Sequence, residues 1–154
     1  MNNSTSYWLK KGIHNGMPIA LGYLAVSFTL GIAAKNAGLT ALQAALASIT
    51  CHASAGEFAG FTLIAALAAY TEIAVMELII NARYFLMSCA LSQKLDNKMP
   101  FFHRLIMGLF VTDEIFGLTV SVPEKLNPAY MYGMVLVASP AWVLGTYFGV
   151  LFGN

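Results

Sequence analysis

Thr50-Cys51-His52-Ala53-Ser54-Ala55-Gly56-Glu57-Phe58-Ala59-Gly60 sets an acid, an imidazole, a serine hydroxyl and two glycines inside a long apolar run. The run extends from Ala41 to Tyr70. As one helix, at about 1.5 Å per residue, it would reach roughly 45 Å, against a hydrocarbon core of about 30 Å. The small polar residues divide it into two arms of roughly 20 Å, each too short to cross alone. Two architectures fit: one long tilted helix, or a re-entrant hairpin whose tip is the Ser54-Ala55-Gly56 region.

The composition places that run in a membrane. Of 154 residues, 58% are hydrophobic and only 10% charged, whereas a soluble domain carries about a quarter charged residues. A net charge of +1 offers neither a basic face for nucleic acid nor an acidic tail. Cys51 and Cys89 are too few for a disulfide framework. The first apolar run has the length of a retained transmembrane helix and not of a signal peptide. The expected fold is all-α, a multi-pass transmembrane helical bundle with a broken or re-entrant helical segment. It forms a single transmembrane domain over 1–154, with spans at about 17–34, 73–91, 105–122 and 130–152 and a broken pair at 41–70. Residues 1–15 read as a surface segment, with Tyr7 and Trp8 at headgroup level and Pro18 in the first turn of the first span. Gly38 marks the turn after that span, Pro123–Pro128 a tight turn, and Pro140 a kink.

Lysine placement favours the hairpin. Lys10 and Lys11 precede the first span, and Lys94, Lys98 and Arg104 lie in or next to the 92–104 loop. Both clusters face the cytoplasm if 41–70 returns to its own side, as a hairpin or an equivalent pair of crossings, and not if it crosses once. The N-terminus is then cytoplasmic, and the last span, on this count, also ends inside.

Ionisable groups at membrane depth are functional candidates because their burial is costly. Here they are Glu57, Glu77, Arg83, Asp113 and Glu114. Four acids face one base, so one acid pairs with Arg83 and the others need a proton, a ligand or water. Adjacent acids on a helix point about 100° apart, so only one of Asp113 and Glu114 can meet a given partner. A broken helix frees N–H groups that attract a carboxylate, and Ser54 and Gly56 lie there; Glu57 could take the ammonium end of a zwitterion, while the same small residues read alternatively as a packing notch for a neighbouring helix. Glu77 and Asn81 share a helix face, and Glu77 reads equally as an interfacial residue. His52 reads as a packing or hydrogen-bonding residue, and Trp142 as a packing or lipid contact. Gly145-x-x-x-Gly149-x-x-x-Gly153 is a close-packing face that requires a neighbour, from another subunit or from further chain. No metal-ligand spacing, phosphate loop or nucleophile elbow is present, so neither cofactor, metal nor enzyme activity is expected.

These residues, taken in order, resemble the AzlC/YgaZ family of branched-chain amino acid exporters. The likeness runs through Gly16-Met17-Pro18, Gly31, Ala53-Ser54-Ala55-Gly56-Glu57-Phe58, Asn81-Ala82-Arg83-Tyr84-Phe85-Leu86-Met87, Thr112-Asp113-Glu114-x-Phe116, Trp142 and Gly145-Thr146. Glu57 stands where the family usually has Gln, Gly56 where it often has Ser, and Tyr84 where His is common. The family usually continues with further helices, so the chain is expected to be short at its C-terminus. The resemblance implies a multi-pass protein of the bacterial plasma membrane, working with a small membrane partner of the AzlD/YgaH type. The expected function is export of branched-chain, hydrophobic amino acids with proton coupling open; the alternative is a non-transporting assembly or regulatory subunit. The expected substrate-binding residues are Ser54, Gly56, Glu57, Asn81 and Arg83. Arg83, Asp113 and Glu114 form the expected charge network.

Overall fold

The computed structural model describes residues 4–123 and 125–153, so Glu124 of the expected 123–128 turn lies outside the described residues. They form α1 (Thr5–Asn36), α2 (Ala41–Cys51), α3 (Ser54–Ala65), α4 (Tyr70–Lys94), α5 (Phe101–Leu109), α6 (Asp113–Val120) and α7 (Pro128–Phe152). The protein is an all-helical, multi-pass membrane bundle. Three helices, α1, α4 and α7, are long and apolar enough to cross a bilayer.

The chain divides into two compact units. The first holds residues up to Ile19 with Arg83–Ala138; the second holds Ala20–Ala82 and the residues from Ser139 on. Each of α1, α4 and α7 contributes to both.

In the second unit, α2 begins with a capping box: Thr40 Oγ1 accepts from the Gln43 N–H at 3.3 Å and Gln43 Oε1 accepts from the Thr40 N–H at 2.9 Å. The helix stops at His52, which adopts the left-handed conformation at φ 48°, and Ala53 is extended. The break thus falls just before Ser54-Ala55-Gly56, where the tip was expected; those three residues form the first turn of α3. Ser48 meets Thr146 and His52 meets Ser139, so α2 runs antiparallel to α7. Gly56 lies against Asn81 and Gly60 against Glu77, so α3 runs antiparallel to α4. Gly38, at φ +82°, makes the turn between α1 and α2, a conformation that favours glycine.

The first unit departs from the expected single span at 105–122. The segment is two short helices, α5 and α6, separated at Phe110–Thr112. Thr112 is extended and its hydroxyl accepts from the Ile115 N–H at 3.5 Å. Thr112-Asp113-Glu114 is therefore a helix start, a cap with two acids in the first turn, not a pair of acids in mid-helix. Both ends of the pair lie at the end of α4. Arg104 Nη2 donates to the Asp96 carbonyl at 2.8 Å, Lys94 Nζ to Val122 O at 2.7 Å, and the Leu126 N–H to Lys94 O at 2.9 Å. The break reaches Arg83, roughly 16 Å up the same helix. Leu91, Leu95, Met107, Val111, Ile115, Leu126, Tyr130, Met131 and Met134 form the core of this unit.

Helix α1 is one continuous helix of 32 residues, with Pro18 inside it and not in its first turn. The expected surface segment is its first three turns. Packing on α7 holds them in place: Trp8 meets Tyr130 edge-on, and Asn15 Nδ2 donates to Tyr130 Oη at 2.8 Å.

In each unit α1 and α7 run parallel on a seam of glycines. In the first, Gly12 faces Tyr130 and Gly133, and Gly16 faces Met134. In the second, Gly31 faces Thr146 and Gly149, Gly145 faces Leu24 and Ser27, and Gly153 faces Ile32. The neighbour required by the 145–149–153 glycine face is α1 of the same chain. Lys35 Nζ donates to the Gly153 carbonyl at 2.6 Å. Helix α7 therefore finishes beside Lys35, not at the Lys10–Lys11 end that the expected crossing count required.

A Cβ at Gly31 would stand 2.6 Å from Gly149 Cα, backbone that cannot yield, whereas a Cβ at Gly22 would meet nothing within 4 Å. Gly31→Ala should lower the melting temperature in detergent. Gly22→Ala, at an open helical site, should hold or raise stability by about 0.5–1 kcal/mol.

Candidate functional site

Two helix starts, each following a buried break, concentrate the polar groups, one in each unit. In the second unit the start is that of α3. Helix geometry leaves the N–H groups of Ser54, Ala55 and Gly56 without intrahelical partners, and no side chain caps them from Ala53. The faces of α3 then do different things. Gly56 and Gly60 turn to α4, where a Cβ on Gly56 would lie 2.6 Å from Glu77 Oε2 and 3.0 Å from Asn81 Nδ2. Asn81 Nδ2 donates to Glu77 Oε2 at 2.7 Å, and Cys51 Sγ lies 3.8 Å from the same oxygen. Asn81 Oδ1 is buried without a hydrogen-bond partner, which makes it an acceptor in waiting.

Glu57 turns the other way. It is 2% exposed. Its Oε1 accepts from Trp142 Nε1 at 2.7 Å, and its Oε2 lies 2.6 Å from Ser48 Oγ. Both oxygens are engaged, so Glu57 does not present a free carboxylate beside Gly56 for an ammonium group. Its position in the first turn of α3 suits the helix dipole. His52 approaches the Trp142 ring edge-on and shares a 3.2 Å contact with Ser139 Oγ. Tyr23 closes the other side of Trp142 at 5.0 Å between ring centroids.

In the first unit, Arg83 Nη1 binds Asp113 Oδ2 at 2.9 Å. The guanidinium also lies 5.1 Å from the Tyr84 ring, and its Nε is buried without a partner. The adjacent acids part as helix geometry requires: Asp113 takes the arginine, and Glu114 lines a cavity of about 600 Å³ with His14, Asn15 and Pro18.

Of the residues expected to bind substrate, Gly56 and Asn81 face each other, Ser54 begins the same helix, and Glu57 lies on its other face. Arg83 and Asp113 form the expected ion pair. Ser48, Thr146 and Trp142 entered no site in the sequence reading. Ser48 and Thr146 lie among small residues that read as packing, and Trp142 passed for a lipid or packing contact, although all three meet Glu57 or one another.

Among the described residues, three long apolar helices and two buried helix breaks define a multi-pass helical membrane protein. The chain belongs to the AzlC family: the model described as AzlC protein matches residues 18–154. It is 34% identical over 151 residues to an uncharacterized membrane protein of Archaeoglobus fulgidus, covering 98% of this chain and 65% of that protein. It is 22% identical over 148 residues to the inner membrane protein YgaZ of Escherichia coli K12, covering 94% and 60%. An uncharacterized membrane protein of Helicobacter pylori J99 is 26% identical, at 94% and 64%. The chain thus spans 60–65% of the length of these relatives. No solved structure matches it.

The ion pair is 41% and 47% exposed at its two side chains. Arg83→Ala or Asp113→Asn alone strands a charge, so each should lower the melting temperature in lipid nanodiscs. The double variant should be more stable than the sum predicts, by about 1 kcal/mol of coupling.

Proposed function

We propose that the chain is a subunit of an exporter of branched-chain, hydrophobic amino acids in the bacterial plasma membrane, with a small membrane partner of the AzlD/YgaH type. One observation carries this reading: the start of α3, which no side chain caps from Ala53, lies against an asparagine whose buried amide oxygen has no hydrogen-bond partner. N–H groups at a helix start attract a carboxylate, and Asn81 Oδ1 with Glu77 offers acceptors to an ammonium group. Having no side chain, Gly56 lets Glu77 and Asn81 close up against the start of α3. An amino acid carries both charges on one carbon, and the surrounding apolar residues favour an apolar side chain. The family's link to branched-chain amino acid export supports the substrate class.

The N-terminus is cytoplasmic in this reading. Lys10, Lys11, Lys94, Lys98, Arg104 and Lys125 all belong to the first unit, and the second holds Lys35 alone among lysines and arginines. A partner is supported by α4. None of its most apolar 18-residue window is buried, yet that helix carries Glu77, Asn81 and Arg83. Polar side chains at membrane depth face protein or water in preference to lipid.

Export of isoleucine or leucine from cells lacking their own exporters, with the partner co-expressed, tests the reading. Asn81→Ala and Gly56→Val should each lower the export rate at least about tenfold, the equivalent of one lost hydrogen bond to the ligand, at unchanged membrane level. Export equal to wild type in both would exclude the α3–α4 site.

A further inference from the structure

Ser48 sets a problem in proton counting. Its Oγ lies 2.6 Å from Glu57 Oε2 and 2.8 Å from Thr146 Oγ1, and a serine hydroxyl has one hydrogen to give. Thr146 Oγ1 lies in turn 3.3 Å from the Trp142 carbonyl oxygen. Ser48 and Thr146 are fully buried, and Glu57 and Trp142 nearly so.

Two proton arrangements fit these distances. With Glu57 as a carboxylate, Thr146 donates to Ser48 and Ser48 donates to Glu57 Oε2. With Glu57 as an acid, its Oε2–H donates to Ser48, Ser48 donates to Thr146, and Thr146 donates to the Trp142 carbonyl. The indole N–H bond to Glu57 Oε1 is common to both. The arrangements differ by one proton, taken from water or returned to it, and by the rotation of two hydroxyl hydrogens. No heavy atom has to move. Few buried acids are placed so that both protonation states are fully hydrogen-bonded.

We propose that Glu57 is a reversible proton-binding site, with Ser48 and Thr146 as a hydroxyl chain that reverses direction when the proton arrives. The titratable groups around it are Cys51 and His52 from α2, Glu77 from α4 and, across Trp142, Tyr23 from α1. No lysine or arginine is among them, so no fixed cation locks Glu57 in one state. Glu57 lies about 100° around α3 from Gly56, with Glu77 near both, and proton binding there does not depend on the chain transporting anything.

Trp142 reports the state of Glu57 directly. Trp8 and Trp142 are the two tryptophans, so Trp8→Phe leaves Trp142 as the sole emitter. The experiment is a pH titration of its fluorescence in the full chain in lipid nanodiscs, without substrate. A one-proton transition is expected in Trp8→Phe and is expected to vanish when Glu57→Gln is added. Ser48→Ala and Thr146→Val, each in the Trp8→Phe background, should keep the transition but move its midpoint by about one pH unit. A flat profile in Trp8→Phe, or an unchanged transition after Glu57→Gln, overturns the proposal. If Glu57→Gln does not fold, the hydroxyl variants decide: a midpoint unmoved by both removes the chain. Loss of export with this titration intact would fall on the transport reading alone.

Discussion

Backbone polar groups at membrane depth have no water to turn to, and this constraint governs the architecture. A helix meets it internally; a break in a helix does not. The described residues hold two such breaks, at His52–Ala53 and Phe110–Thr112, where Val111, Thr112, His52 and Ala53 are all buried. What buries the first is α7, and α7 is held by its glycine seam with α1. Because Gly31, Gly145 and Gly149 let two backbones touch, Trp142 and Thr146 sit close enough to reach Glu57 and Ser48. Packing with no polar content thus positions the most polar buried cluster of the second unit.

The two broken pairs meet the constraint in different ways. The start of α6 is capped by Thr112, and its acids are engaged with Arg83 or turned to a cavity. The start of α3 has alanine at the capping position, which has no side chain to offer. One helix start is closed by its own sequence and the other is left open. The proposed carboxylate site rests on that asymmetry.

Much of this was legible in the residues. The length of 41–70 and the distribution of lysines imply a returning segment, and the helices bear that out. The break is displaced toward His52, because a non-glycine residue takes the left-handed position there. The second pair was equally legible, since threonine followed by two acids is a helix start. It was read as part of a span because the apolar residues on either side continue the run. The partners of Glu57 were not legible. Ser48 is nine residues away and Trp142 eighty-five, on helices whose apposition depends on glycine contacts that carry no mark of register. Gly56 and Asn81 were expected at one site by resemblance, and the two meet where α3 packs on α4.

The Arg83–Asp113 pair also bears on how the protein is made. Thirty residues separate the two partners, so at about 5–20 residues per second Asp113 follows Arg83 out of the ribosome by roughly 2–6 s. During that interval α4 carries Arg83, with Glu77 and Asn81 within two turns of it, without the counter-charge that Asp113 later supplies. Such a segment is costly to release into lipid by itself. The charge pair can therefore close only after α5 and the start of α6 have been made, so synthesis order and completion of the pair part company.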